Sequence, residues 1–317
     1  HIHEWAQVLD KQGDYEMAYK AFTIANQARK TERPTVDRTL MPRFIAHIDN
    51  CFTEQWVQSW TPLPQSHRPA PLFMVGFNRS GTTLLDRMLD SHPQVYVMEE
   101  VPAIDQAREV LGGLYPHGLA DLDPAHLGAA RDAYFAVVDA HIPAGFDGLV
   151  VDKLPLNTIA LGLIHRLFPS AKTVFSLRHP ADVVISNFMQ NYTPNPITVH
   201  FDSLEGAAKL YAQVMELGLS LRSMLPMDVL EVRYEDLVGD WEPQVRRLLD
   251  FAGLPWDDQI RGYLGRTQKQ GLIGTPSYAA VVEPVHQKAV GRRHNYATAI
   301  ASVGPVLKPF IDAFDYS

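Results

Sequence analysis

The 317-residue sequence contains one cysteine, Cys51. That excludes an internal disulfide framework and fits a reducing, cytoplasmic compartment. No apolar run is long enough to suggest a membrane span, and the opening residues, HIHEWAQVLDKQ, carry no apolar signal core. They begin inside a helical pattern, so the sequence is expected to be a piece of a longer chain. An excess of positive charge is also missing. With 28 Lys and Arg against 36 Asp and Glu, the formal net charge is −8, which argues against a nucleic acid partner. The histidines, among them His165, His179 and His294, show no metal-ligand spacing, so no metal is expected. His92, in DSHP, is read as ordering a turn. What remains is an ordinary globular composition, long enough for one large domain and a smaller one.

Residues 4–29 read as two helices joined near Gly13. Gly13, Ala18, Phe22 and Ala25 have the offsets of the later half of a tetratricopeptide repeat, whose small residues let paired helices approach. A generic helical hairpin is the alternative. A single repeat cannot bury its apolar faces alone, so either a partner or further repeats, or the domain behind it, would cover this pair. Residues 37–58 read as one more helix, with Phe44, Ile45, Ile48, Phe52 and Trp56 near one face. Four prolines then crowd TPLPQSHRPAP, and the boundary falls there. The division is a helical segment over 1–60, a connector over 61–71 and a second domain over 72–317.

In that second domain short apolar runs alternate with helical stretches. LFMVG (72–76), GLVV (148–151), TVFSLR (173–178) and VLEVRY (229–234) read as buried strands. Helices are expected over 82–91, 125–140, 157–167, 180–191, 203–224 and 242–252, with Asn157 as a helix cap. Strands alternating with helices predict an α/β fold, a mostly parallel sheet flanked by helices. Ligands in such sheets sit beyond the carboxyl ends of the strands.

One loop there lacks a residue that matters. In MVGFNRSGTTLLDRML (74–89), Gly76, Gly81 and Thr83 match the phosphate-loop pattern G-x-x-x-x-G-K-[ST], but Thr82 stands where the lysine belongs. A strand ends before the loop and a helix begins after it, so backbone N–H groups from Arg79 to Thr83 and the helix dipole favour an anion. Without the lysine, and with no evident Walker-B acid for magnesium, ordinary ATP chemistry is disfavoured. Arg79, Ser80, Thr82 and Thr83 instead suit one 5′-phosphate with a second group attached. A purely structural turn is the competing reading.

FNRSGTTLL, followed by VFSLRHPADVVISNFMQ, resembles sulfotransferases that use 3′-phosphoadenosine 5′-phosphosulfate (PAPS) and release 3′-phosphoadenosine 5′-phosphate (PAP). The resemblance covers about residues 70 to 300 and points to bacterial proteins with fused tetratricopeptide repeats and to the tyrosylprotein sulfotransferases. It implies a P-loop-like fold without a metal, with Arg79, Ser80, Gly81, Thr82 and Thr83 holding the 5′-phosphosulfate. Arg178 and Ser186 would take the 3′-phosphate and Tyr234 would contact the nucleotide. In RSGTTLLDRMLDSHPQVYVMEE it assigns Glu100 as the general base. Such a base suits a phenol, with a pKa near 10, and a buried carboxylate is expected there; Glu99 and Glu100 could instead be a solvated strand end or a helix cap. Lys153, in VVDKLPLNT, matches a lysine that meets the leaving oxygen. In SYAAVVEPVHQKAVGRRHNY, Ser277 matches a serine that touches the transferring group, Arg292 matches a basic nucleotide ligand, and Pro284 falls between them. Gly291-Arg292-Arg293 departs from the G-R-W of bacterial relatives, so local packing or acceptor contact differs. The implied acceptor is a protein or peptide tyrosine; a carbohydrate or small-molecule hydroxyl is the alternative, and an inactive domain serving protein contacts is another.

Overall fold

A computed structural model describes residues 1–32, 36–61, 63–64, 66–263 and 290–316. Five parallel strands form one sheet: β1 (Leu72–Gly76), β2 (Val95–Glu99), β3 (Leu149–Lys153), β4 (Lys172–Leu177) and β5 (Asp228–Arg233), in the order β2-β3-β1-β4-β5. After β1 the chain fills the β3 side, then crosses to the β4 side. The switch point therefore lies at the carboxyl end of β1, where such sheets open a crevice for ligands.

Strand geometry explains the two cores. Alternate residues of β1 point to opposite faces. Phe73 and Val75 join one hydrophobic cluster, while Leu72 and Met74 join the other. The second cluster is closed by α5 (Thr82–Leu89) and α12 (Trp241–Ala252). The first is covered by α6 (Ala103–Leu111), α7 (Pro124–His141), α8 (Leu161–Leu167), α9 (Pro180–Phe188) and α10 (Leu204–Met224). α11 (Tyr234–Gly239) follows β5 directly, and α13 (Ala297–Ala301) and α14 (Gly304–Ala313) end the described chain. Among the described residues no helix is long and apolar enough to cross a membrane.

The expected N-terminal pair forms as α1 (Ile2–Gln12) and α2 (Tyr15–Glu32). Gly13 adopts φ 85, and the amides of Gly13 and Asp14 close on the carbonyls of Asp10 and Leu9, a left-handed helix stop that glycine provides at low cost. Ala6, Ala18 and Ala21 are buried, so the helices lie close together. This pair packs on α9: Phe22 meets the Phe188 ring, and Asn26 Nδ2 donates to the Phe188 carbonyl at 3.0 Å.

The single helix expected over 37–58 is instead α3 (Leu40–Cys51) and α4 (Glu54–Gln58). Thr53 takes an extended conformation and accepts from the Trp56 amide, a cap that starts a new helix. Phe52, just before it, is buried against Gly162, where an added Cβ would come within 2.1 Å of the ring. Asn157 is not a cap. It lies inside a 3-10 turn over Pro155–Ala160 that precedes α8, and its amide donates to Asp152 Oδ1 at 3.3 Å.

Candidate active site

The loop between β1 and α5 depends on close backbone approach. A Cβ on Gly76 would lie 2.5 Å from the Ser176 carbonyl oxygen of β4, and one on Gly81 2.4 Å from the Tyr234 ring. Gly81, at φ 92, caps α5 without a side-chain acceptor. The Thr158 hydroxyl donates to the Gly76 carbonyl at 2.7 Å and accepts from its amide at 2.9 Å, fixing the end of β1. Ser80, Thr82 and Thr83 are buried beneath the loop.

On the β4 side cations and a hydroxyl stand next to the loop. Arg79 Nε donates to Ser186 Oγ at 3.1 Å. Arg178, which follows β4, donates to the Arg79 carbonyl at 3.1 Å, and its guanidinium lies 4.8 Å from the centre of the Tyr234 ring. Asn187, next to Ser186, donates to the Asn78 carbonyl, tying α9 to the loop. Burial pulls the Arg79 guanidinium below its ordinary pKa, and the charges of Arg178 and Arg292 add to that effect. Burial likewise raises the Tyr234 phenol, with Arg178 and Arg79 opposing.

On the β3 side carboxylates gather around one ammonium. Glu99 pairs with Lys153 across β2 and β3, and the Glu100 amide donates to the Lys153 carbonyl at 2.8 Å. Lys153 Nζ, fully buried, lies 3.1 Å from Glu99, 3.2 Å from Asp86 and 3.4 Å from Glu100. Arg87 bridges Glu99 and Asp86. The expectation of a buried base needs correction: the Glu100 side chain is 45% exposed. With φ 54 the chain turns as it leaves β2, where continued strand geometry would have carried the residue onward. Among the described residues only three non-glycine residues have positive φ, and two of them are Arg79 and Glu100. Strained backbone of this kind clusters at functional sites.

The expected site residues thus converge on the carboxyl edge: Arg79 to Thr83 in the centre, Arg178, Ser186 and Tyr234 on one flank, and Glu100 and Lys153 on the other. Arg292 comes near enough for its charge to depress Arg79, but its guanidinium is held by Asp10 of α1. Its neighbours are fixed by buried Asp182 of α9, which accepts from the amides of Gly291 and Arg293 and from the Arg293 guanidinium. Ser277 and Pro284 lie outside the described residues.

A family model of the sulfotransferase family matches residues 71–258, more than half of the chain. The chain belongs to the sulfotransferase family. The match spans β1 to β5 and includes both flanks of the loop. Protein-tyrosine sulfotransferase 2 of Gallus gallus is 25% identical over 70% of this sulfotransferase chain and 62% of its own length. An uncharacterized protein of Aquifex aeolicus is 28% identical over 95% of the chain, but over 40% of its own length. The chain therefore spans less than two thirds of these relatives. The sulfotransferase domain from the curacin biosynthetic pathway shares the fold, with a TM-score of 0.50 at 20% identity, over 80% of this chain and 99% of that one.

Sequence reasoning missed several residues of this site. Asp86, Arg87, Thr158 and Asp182 fell inside expected helices and were given no role. Tyr192 was also missed; burial pushes its phenol up to about 12, Arg79 opposing and Glu100 adding. Its hydroxyl donates to Asn187 Oδ1 at 2.9 Å. His92, by contrast, orders its turn as expected, accepting from the Gln94 amide through Nδ1.

Proposed function

We propose that this sulfotransferase-family chain moves a sulfuryl group from PAPS to an acceptor hydroxyl, with a protein or peptide tyrosine as the acceptor. One observation carries the reading: a glycine loop has a cationic pocket on one flank and a carboxylate–lysine pair on the other, both at the switch point of the sheet. The loop suits a phosphate-linked donor because it leads into the N-terminus of α5 at the switch point of the sheet, with Gly81 leaving room for Tyr234 to pack against it. PAPS supplies an activated sulfuryl group on its 5′-phosphate.

In this reading Arg79 and the amides through Thr83 hold the 5′-phosphosulfate, and Arg178 with Ser186 holds the 3′-phosphate. Tyr234 lies against the nucleotide, with Arg292 released from Asp10 to join it. Glu100, exposed to solvent and turned out of β2, accepts the acceptor proton as the oxygen–sulfur bond forms. The bond from sulfur to the bridging oxygen breaks, its electron pair stays on the phosphate, and Lys153 stabilises that charge. Ser277 is assigned to the transferring group by resemblance alone. The chemistry needs no metal.

The helical segment 1–60 is read as tetratricopeptide-like and the chain from residue 72 as the transferase unit. Ile2, Trp5 and Val8 leave an exposed apolar stripe on α1, which supports a protein contact there. The buried single thiol fits a reducing, cytoplasmic setting.

Calorimetry with PAP and adenosine 5′-phosphate tests the nucleotide reading. PAP is expected to bind more tightly, and equal affinities would contradict it. Incubation with PAPS and acidic tyrosine peptides, sugars or phenols then tests the acceptor. Transfer to sugars alone would replace the tyrosine reading.

A further inference from the structure

Asp86 lies in the middle of α5 and is 1% exposed. It is the most buried of the three carboxylates around Lys153, yet neither the loop nor the acidic pair at the end of β2 includes it. Its Oδ2 lies 3.2 Å from Lys153 Nζ and its Oδ1 3.3 Å from Arg87 Nε. The groups facing it are Lys153 from β3, Glu99 and Glu100 from the end of β2, and Arg87 from its own helix.

An ammonium enclosed by protein loses its hydration and tends to shed its proton. Lys153 is fully buried, so something must keep it charged. Its three carboxylates are not equivalent. Glu100 is half-exposed and screened by water, and Glu99 is shared with Arg87. Asp86 sits in the driest place, where a charge acts most strongly. Although burial alone would lower the Lys153 pKa, the net direction is upward, and Asp86 is the charge that contributes most to that rise.

We propose that Asp86 is a positioning residue, the counter-ion that keeps Lys153 charged and held at the mouth of the nucleotide loop. The proposal rests on reading Lys153 as the cation that meets the leaving phosphate. Turnover unaffected by Lys153→Met would remove that reading without touching the ion pair itself.

The test follows the Lys153 ammonium directly in nucleotide-free protein. Its side-chain NMR signal, assigned with Lys153→Met, is titrated in Asp86→Asn and Asp86→Glu. Asn keeps the shape of Asp86 and leaves two cations against two carboxylates. It is expected to lower the Lys153 midpoint by about one pH unit or more, a tenfold change in its ionisation constant. Glu restores the charge and is expected to restore the midpoint. A midpoint unmoved by Asn would overturn the proposal, as would a Glu variant that disrupts folding while Asn does not, since packing alone would then explain Asp86. An Asn variant that fails to fold beside a folded Glu variant would support it. A wild-type check covers the case in which neither variant folds. Burial pushes the Asp86 carboxyl up to about 7, so the unaltered Lys153 signal must sense its ionisation. A signal flat between about pH 5.5 and 8.5 would sink the proposal.

Discussion

The two flanks of the phosphate loop use charge in opposite ways. On the β4 side Arg79 and Arg178 meet a hydroxyl, a carbonyl and an aromatic ring. Burial first, then the charges of Arg178 and Arg292, pull Arg79 below its ordinary pKa, although Arg292 itself is paired with Asp10. On the β3 side Lys153 and Arg87 are surrounded by Asp86, Glu99 and Glu100. Crowded like charges hold a positive field ready for an anion, whereas a cation among carboxylates has much of its field cancelled. The first flank is therefore suited to binding a polyanionic donor, and the second to handling a proton and releasing a lysine as charge develops.

If that contrast is correct, the flanks fail differently when altered. Glu100→Gln is expected to lower kcat about 10²- to 10⁴-fold while leaving PAP affinity within about twofold. Calorimetry beside a PAPS-dependent turnover assay reads both, and normal turnover would break the comparison. Arg178→Ala should show the reverse emphasis. It removes a charge-assisted contact of about 2 kcal/mol, roughly 30-fold in PAP affinity, with little effect on adenosine 5′-phosphate; equal losses for the two nucleotides would refute the flank assignment. Gly81→Ala sets a Cβ against Tyr234 at a left-handed position, and a loss of about 1–3 kcal/mol is expected in chemical denaturation.

The smallest effect concerns pH. Asp152, fully buried beneath the β3 flank, accepts from the Tyr134 hydroxyl at 2.9 Å, and burial pushes its carboxyl up to about 7. Its folded pKa is thus above the unfolded value of about 3.9. The stability it contributes is complete below about pH 4 and is lost as pH rises through about 7. Asp86 follows the same sign. Thermal melts of Asp152→Asn should therefore fall less steeply between about pH 4 and 7 than those of the parent. Identical slopes would show that this carboxyl does not titrate there.

Much of the site was legible because its residues sit beside strand ends. Arg79 and Gly81 follow β1, Glu100 follows β2, Lys153 ends β3, Arg178 follows β4 and Tyr234 follows β5. In a parallel sheet these positions share one edge, so the four strands read from the sequence located most of the site; β2 was not among them, and Glu100 came from the family resemblance. Residues acting through a helix face or across long separations were not legible. Asp86 and Arg87 looked like ordinary residues of α5, and only the rotation of that helix directs Asp86 at Lys153 and Arg87 at Glu99. Asp10 and Arg292 are joined by a contact that no local pattern encodes. The break at Thr53 was missed because the apolar spacing runs through it, while the cap and the fit of Phe52 against Gly162 decide the geometry.

The sequence by itself determined the alternation of strand and helix, the glycine loop without its lysine, and the identity of the groups at the strand ends. Those follow from local periodicity, turn chemistry and spacing, which act over a few residues. Only the tertiary structure decided which polar groups meet: Arg79 with Ser186, Lys153 with Asp86, and Arg292 with Asp10. Pairing of that kind depends on distance and burial in the folded chain, where a few ångströms and the loss of water fix the strength of a charge.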